Sequence, residues 1–471
     1  MPAASRILLS LRLAVAAGVA ALLMAGAAVA QQAAQPAAAP AEEGAVGAIE
    51  IEALIGDSVS NAGDARYSDV AEAIQRFRNR DQLSARTFLE RAVQKDPKLP
   101  PVGVLMAKLQ LLSGNAAGVR PALEQAVQED SAGDPEPYLL LAEEALAGQR
   151  TIEADALFDK AVAMIEKYTT NAKRKRQFEI RAYRGRAIIG ERRQDWEQAE
   201  SDLRKWIQQD PEEASAYQRL GQVLFQYQTD AKDTEGFAAF KKAKELNKEL
   251  PSPFVSAALM YSRNGKTARA MESFERAFAE SGTDQTTLIA YAQALVKANQ
   301  LPKAETVLKK AREVAANVDS VWLLSGVTAR MAGDSKAAEQ YLMRALALSP
   351  MNRDVLNQLS LVLLESDAEG AKARALQFAQ LNQQLNQNNP DINVTLAWVL
   401  FQNGDARNAT AALRQGLQGG ALSPDGSFLL AKILLVRDDK TNAKRLLESA
   451  LKSDQGIFVE RKEAERILGT L

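Results

Sequence analysis

The densest charge in the chain is Lys173-Arg174-Lys175-Arg176. Four cations in a row could hold an acidic partner, an anionic lipid or a polyphosphate, or could form the solvated face of a helix. Other patterns point to sharper chemistry and fail on their surroundings. Gly265-Lys266-Thr267 has the tail of a phosphate loop, but Met260 stands where that loop needs its first glycine. Ser449 and Lys452 have the S-x-x-K spacing of an acylated serine, with no companion S-D-N or K-T-G. The acidic pairs Glu143-Glu144, Glu212-Glu213 and Asp438-Asp439 are sequence neighbours. On a helix such neighbours point apart and do not face each other. Asn393-Val394-Thr395 and Asn408-Ala409-Thr410 match glycosylation sequons by chance on predicted helices.

Composition closes most remaining catalytic routes. The chain has no His and no Cys. That removes Cys nucleophiles, Ser-His triads, imidazole acid–base catalysis, the usual zinc sites and disulfides together. No catalytic residue, metal or cofactor is expected. Basic and acidic residues number 58 and 59, so no overall field draws the chain to nucleic acid.

The first 30 residues are an address rather than a fold. Arg6 and Arg12 precede an apolar stretch that ends in Ala28-Val29-Ala30. This pattern predicts a cleaved signal peptide and export to the periplasm or beyond, the alternative being an inner-membrane signal anchor. Absence of Cys suits an oxidising compartment. Residues 31–65 read as an Ala/Pro/Gln-rich linker, with a short N-terminal cap over Ala45–Ile55.

Any functional residue must be positioned by a repeat. Within Asp319–Pro350, Trp322, Gly326, Ala338, Leu342, Ala345 and Pro350 form a framework. It recurs 34 residues upstream as Leu288, Ala292, Ala304, Leu308 and Ala311, and again as Phe254, Ala258, Ala270, Phe274 and Ala277. A period of this length predicts an all-α solenoid of stacked helical hairpins. Eleven repeats start at Arg66, Pro100, Pro135, Ile180, Ala214, Pro251, Gln285, Asp319, Arg353, Pro390 and Pro424. Each should hold a helix A, a turn and a helix B. Small residues at the eighth and twentieth positions let the two backbones approach. Asp, Asn or Ser before Pro marks several boundaries, where the first side chain caps and the ring starts the next helix. Insertions at Thr169–Glu179 and Gln228–Glu235 break the period. Ile457–Leu471 has one apolar face and is expected to cap the end of the stack.

The spacing Trp322-x2-Ser325-Gly326, then Ala338-x3-Leu342-x2-Ala345 and a closing Pro350, resembles the tetratricopeptide repeat (TPR) family, over Arg66 to about Gly456. The resemblance implies an α-α superhelix whose concave groove is lined by positions two, five, nine, twelve and thirteen of helix A. It also implies a non-catalytic scaffold that binds a protein or peptide there. In the fourth repeat the groove residues would be Arg181, Arg184 and Arg192, a basic patch next to the charge run. In the fifth they would be Gln218, Gln222, Phe225 and Gln226, suited to a peptide backbone. Later repeats would offer Leu323, Val327 and Met331, then Trp398, Phe401 and Phe428 as apolar and aromatic anchors. The Lys and Asn pair by which some TPRs hold a terminal carboxylate occurs in none of the units. A second implied role is envelope assembly for polysaccharide or surface-protein export, with a membrane complex or glycan as the contact.

Overall fold

The computed structural model describes residues 54–55, 67–129, 133–454 and 456–471. The expected signal peptide, nearly all of the expected linker and Arg66 lie outside them. The described residues form twenty-three α-helices and no strand. They are α1 (Ser68–Arg78), α2 (Gln82–Lys95), α3 (Val102–Leu112), α4 (Ala116–Glu129), α5 (Glu136–Ala147), α6 (Thr151–Lys167), α7 (Ala172–Arg193) and α8 (Trp196–Gln209). There follow α9 (Ala214–Leu224), α10 (Asp230–Leu246), α11 (Pro253–Arg263), α12 (Thr267–Glu280), α13 (Gln285–Lys297), α14 (Leu301–Val314), α15 (Asp319–Met331) and α16 (Ser335–Leu348). The last are α17 (Arg353–Leu364), α18 (Ala371–Leu385), α19 (Pro390–Gln402), α20 (Ala406–Gln418), α21 (Pro424–Val436), α22 (Lys440–Lys452) and α23 (Arg461–Leu468). Odd-numbered helices up to α21 are the A helices of successive hairpins, and even-numbered ones are the B helices.

The chain divides into two compact units. One runs to Glu144 and includes Lys160–Lys175. Its core joins Val70, Ile74, Leu89 and Leu105, and Leu54 and Ile55 are fully buried against it. The other comprises Ala145–Asp159 and Arg176–Leu471. Its hairpins close because one helix lacks a side chain where its partner needs room. A Cβ on Gly326 would lie 2.6 Å from Leu342 Cγ, and one on Gly221 would lie 2.4 Å from Phe240. Both distances are far inside van der Waals contact, so only glycine allows these approaches.

Five of the A-to-B turns share one device. A residue with positive φ reverses the chain, and the Asp after it caps helix B. Gly333 and Asp334 do this for α16, where Asp334 accepts from the Ala337 N–H at 2.9 Å. Gly404 with Asp405 and Gln194 with Asp195 repeat it. Asp438-Asp439 is the same turn, with Asp438 at φ 60° and Asp439 capping α22. Gly265, at φ 71°, makes Gly-Lys-Thr a turn as well. Between hairpins, the side chains of Asn389 and Ser423 cap α19 and α21, each of which opens on Pro.

The insertion before the fourth repeat lengthens its A helix, so that α7 begins at Ala172 rather than Ile180 and runs for 22 residues. The charge run therefore lies in its first turns, and its cations are used internally. Arg174 is buried and pairs with Asp134 at 2.9 Å and Glu136 at 2.8 Å. It also donates to the Tyr168 hydroxyl at 2.9 Å. Lys175 donates to the Glu166 carbonyl, and Arg176 to the Gln209 carbonyl at the end of α8. The run is neither a wholly solvated face nor an open cation patch.

Candidate functional site

Side chains of several A helices of the second unit converge on one stretch of chain, Ile457–Glu460. Asp425 is the second residue of α21. Its carboxylate accepts the backbone N–H groups of Val459 at 3.1 Å and Glu460 at 3.3 Å. The same position one repeat earlier is Asp391. Its carboxylate accepts the N–H and hydroxyl of Ser423, both at 3.0 Å. An acid at the second position of helix A thus fastens the segment about one repeat ahead. At Asp391 that segment is the next hairpin, and at Asp425 it is the C-terminal stretch.

The side chains of this stretch point back into the unit. Phe458 meets Phe428 edge-on at 6.3 Å between ring centres. Ile457 and Val459 pack against the apolar cluster of α11–α15, which includes Tyr291, Leu295, Val296 and Val327. Glu460 pairs with the guanidinium of Arg330 on α15, across 130 residues of sequence. Arg330 also binds Glu365 at 2.7 Å and Gln358 at 3.0 Å. A small cleft of about 160 Å³ remains beside the stretch, with Lys297, Met331, Val459 and Lys462 on its walls. After Glu460, α23 turns away, and its Ala464 is fully buried in the terminal core with Phe458.

The electrostatics follow from burial. Burial works against the Arg330 charge, yet Glu460 and Glu365 more than offset it and its pKa stands above the ordinary arginine value. Burial pushes the Asp425 carboxyl up to about 6, against the opposing pull of the Val459 N–H and Arg330. Lys432 lies 4.5 Å from the Trp398 ring centre and 5.4 Å from that of Phe428. Its pKa is lowered by burial, which Glu460, Glu463 and Glu365 partly counter. The arrangement offers a guanidinium for an acid, a carboxylate for backbone N–H groups and an aromatic wall for a ring. Those are the means of holding a peptide.

The anchors expected from the sequence are distributed differently. Phe428 is only 1% exposed and Trp398 8%, because Phe458 and Lys432 cover the first and the terminal core encloses the second. They are packed side chains rather than open anchors. Phe401 is half-buried and stacks on Trp398. Val327 is buried, while Leu323 and Met331 remain half-buried on the same helix.

In the fourth and fifth repeats, Arg181 is half-buried and Arg184 exposed, and neither is a free charge. Arg192 donates to the Leu146 carbonyl at 3.3 Å. Gln218 reaches Ser256 at 3.4 Å, and Gln226 donates to the backbone carbonyl of Gln222 at 3.4 Å. Phe225 is fully buried between Phe240 and Tyr261 and cannot serve the groove. Arg219, beside Gln218 on α9, holds Glu191 of α7 through two bonds of 2.8 and 3.0 Å. Burial raises the Glu191 carboxyl against the pull of Arg219.

Arg330, Asp425, Lys432 and Glu460 were missed in the sequence. Three of them were within reach, since Arg330 is the twelfth residue of its repeat, and Asp425 and Lys432 are the second and ninth of theirs. All are positions the family places in its groove. A search for apolar anchors passed over the charges beside them.

The family comparison agrees with this architecture. Residues 262–325 match the tetratricopeptide repeat family model. With the hairpin period and the glycine-mediated helix crossings, this match supports the tetratricopeptide-repeat reading of the array. Among solved structures, a tetratricopeptide repeat protein from Parabacteroides merdae is 14% identical, with a TM-score of 0.36, covering 62% of this chain and 98% of its own. The Cut9-Hcn1 hetero-tetramer of APC/C gives 12% identity and a TM-score of 0.39 over 85% of this chain and 96% of that one. Pseudomonas aeruginosa pilF gives 20% and 0.33 over 45% and 96%. No curated protein matches the chain.

Proposed function

We propose that this protein is a non-catalytic, exported scaffold that binds a protein or peptide ligand along the inner edges of its A helices. One observation carries the reading. The A helices of α13–α21 already hold an irregular piece of chain, which turns at Val459-Glu460 into α23, through its backbone N–H groups, a ring and an acid. A surface that binds one peptide stretch by these means is chemically equipped to bind another. The lack of His and Cys supports a binding role over a chemical one. Export rests on the leader-like residues 1–30.

Leu323 and Met331 are the useful probes, because Trp398 and Phe428 are too buried to replace without disturbing the core. A photo-crosslinking amino acid at Met331 should capture a discrete partner from envelope extract. The same group at Leu381, an exposed position on α18, should not. Capture from Leu381 alone would sink the inner-surface assignment.

A further inference from the structure

This inference rests on the scaffold reading above and specifies its ligand. We propose that Ile457–Glu460 is an intramolecular stand-in for the ligand, and that the groove of α13–α21 takes a partner peptide carrying an aromatic, an apolar and an acidic residue in succession, which displaces the chain's own stretch.

Each element of that motif has its receptor. The aromatic Phe458 is taken by Phe428. The apolar Val459 packs on the α11–α15 cluster, and its N–H is held by Asp425. The acidic Glu460 is taken by Arg330. The receptor groups are also more elaborate than an end-cap requires. Covering the open face of the last hairpin needs only apolar contact, which Phe458, Ala464 and Ile467 supply. A guanidinium and a carboxylate buried against the stretch add desolvation cost at this surface. They gain in return a specific recognition of peptide backbone and acid.

The position of the stretch favours exchange. A positive-φ glycine, Gly456, immediately precedes it, and the cleft at Met331 and Val459 gives an incoming chain a place to start. Intramolecular tethering makes the resident a strong competitor, so an external peptide sees only the fraction of molecules whose groove is open.

The test uses a fluorescent peptide with the sequence Asp454–Ala464 and the full-length protein in three forms. One is wild type. The second carries Phe458→Ala and Glu460→Lys, which release the resident stretch. The third carries Lys297→Cys and Lys462→Cys joined by a short bis-maleimide, which locks it. Both lysines are exposed on the same cleft, and the chain has no other Cys to react. The released form should bind the peptide at least about tenfold more tightly than wild type, because its groove is open. The locked form should bind none, and peptides bearing Phe458→Ala or Glu460→Lys should fail on all forms.

A released form that melts like wild type yet ignores the peptide would overturn the proposal and make the stretch a structural clasp. Should release disturb folding, locked and unlocked samples of the cysteine pair decide, and equal peptide binding by the two overturns it. Partner capture at Met331 with no peptide binding would overturn the ligand motif while leaving the scaffold reading in place.

Discussion

The inner edges of the fourth and fifth repeats and those of the eighth to eleventh use the same positions of the same hairpin to different ends. In the fourth and fifth, polar groups pair between neighbouring repeats. Arg219 holds Glu191 with more than a third of its side chain exposed, and Gln218 barely reaches Ser256. In the later repeats, Arg330 is only 5% exposed and its contacts reach Glu460 near the C-terminus. The first surface is a chain of local contacts in water. The second encloses the C-terminal stretch together with the charges that hold it. Position within a TPR hairpin therefore says which way a residue faces, and its partner decides whether that face is open.

The contrast can be broken at its strongest point. Replacing Arg330 with Ala should cost about 3–5 kcal/mol in urea unfolding, since Glu365 and Glu460 would lose a buried counter-charge. Arg219→Ala should cost no more than about 1 kcal/mol, because its pair with Glu191 is partly solvated. Similar losses at the two sites would erase the distinction between the surfaces.

Acidity sharpens it next. Burial raises Asp425 from the ordinary 3.8 to about 6, and a release of the stretch that opens Asp425 to water would return it toward the ordinary value. The seated form therefore binds a proton more tightly than the released form. Its added stability is full below the lower value and is lost as pH rises through the higher one. The charges facing Asp425 are Arg330 on α15 and Glu460 on the stretch itself. Amide exchange at Val459 and Glu460 should slow by about tenfold in opening equilibrium between pH 7 and pH 5, after correction for intrinsic exchange rates. Asp425→Asn should abolish that extra protection, and a pH-independent opening equilibrium in wild type would contradict the burial argument.

At the mild end, Phe458→Ala should expose the amides of residues 457–468 to exchange while those of α15 and α16 keep their protection. Gln218→Ala should change stability by less than about 0.5 kcal/mol, as a surface change with one long hydrogen bond. A large effect at Gln218 would show that the fifth repeat carries more of the structure than its geometry allows.

Much of the fold was legible because its causes are local. Gly326 and Leu342 are 16 residues apart and announce their contact by recurring every 34. Asp334 and Asp405 cap helices three residues ahead. The candidate site was legible only in part, because its decisive contact is not periodic. Arg330 and Glu460 meet across 130 residues, and no spacing rule links them. One trace was present. Pro390-Asp391 and Pro424-Asp425 repeat at 34 residues, and a further 34 leads to Phe458-Val459, the residues that Asp425 holds. Exposure was harder to read than direction. Phe428 and Trp398 stand at the fifth and ninth positions of their repeats, but what covers them comes from α21 and the C-terminal stretch.

The central claim is that the groove of α13–α21 is a peptide site occupied by its own chain. Spin labels on Lys297→Cys and Lys462→Cys test it most directly, since both line the cleft beside Val459. Pulsed electron spin resonance on the protein alone should give one short, narrow distance. Adding the Asp454–Ala464 peptide at saturating concentration should replace it with a long, broad distribution as the resident stretch leaves. A short distance that survives peptide saturation would contradict the account.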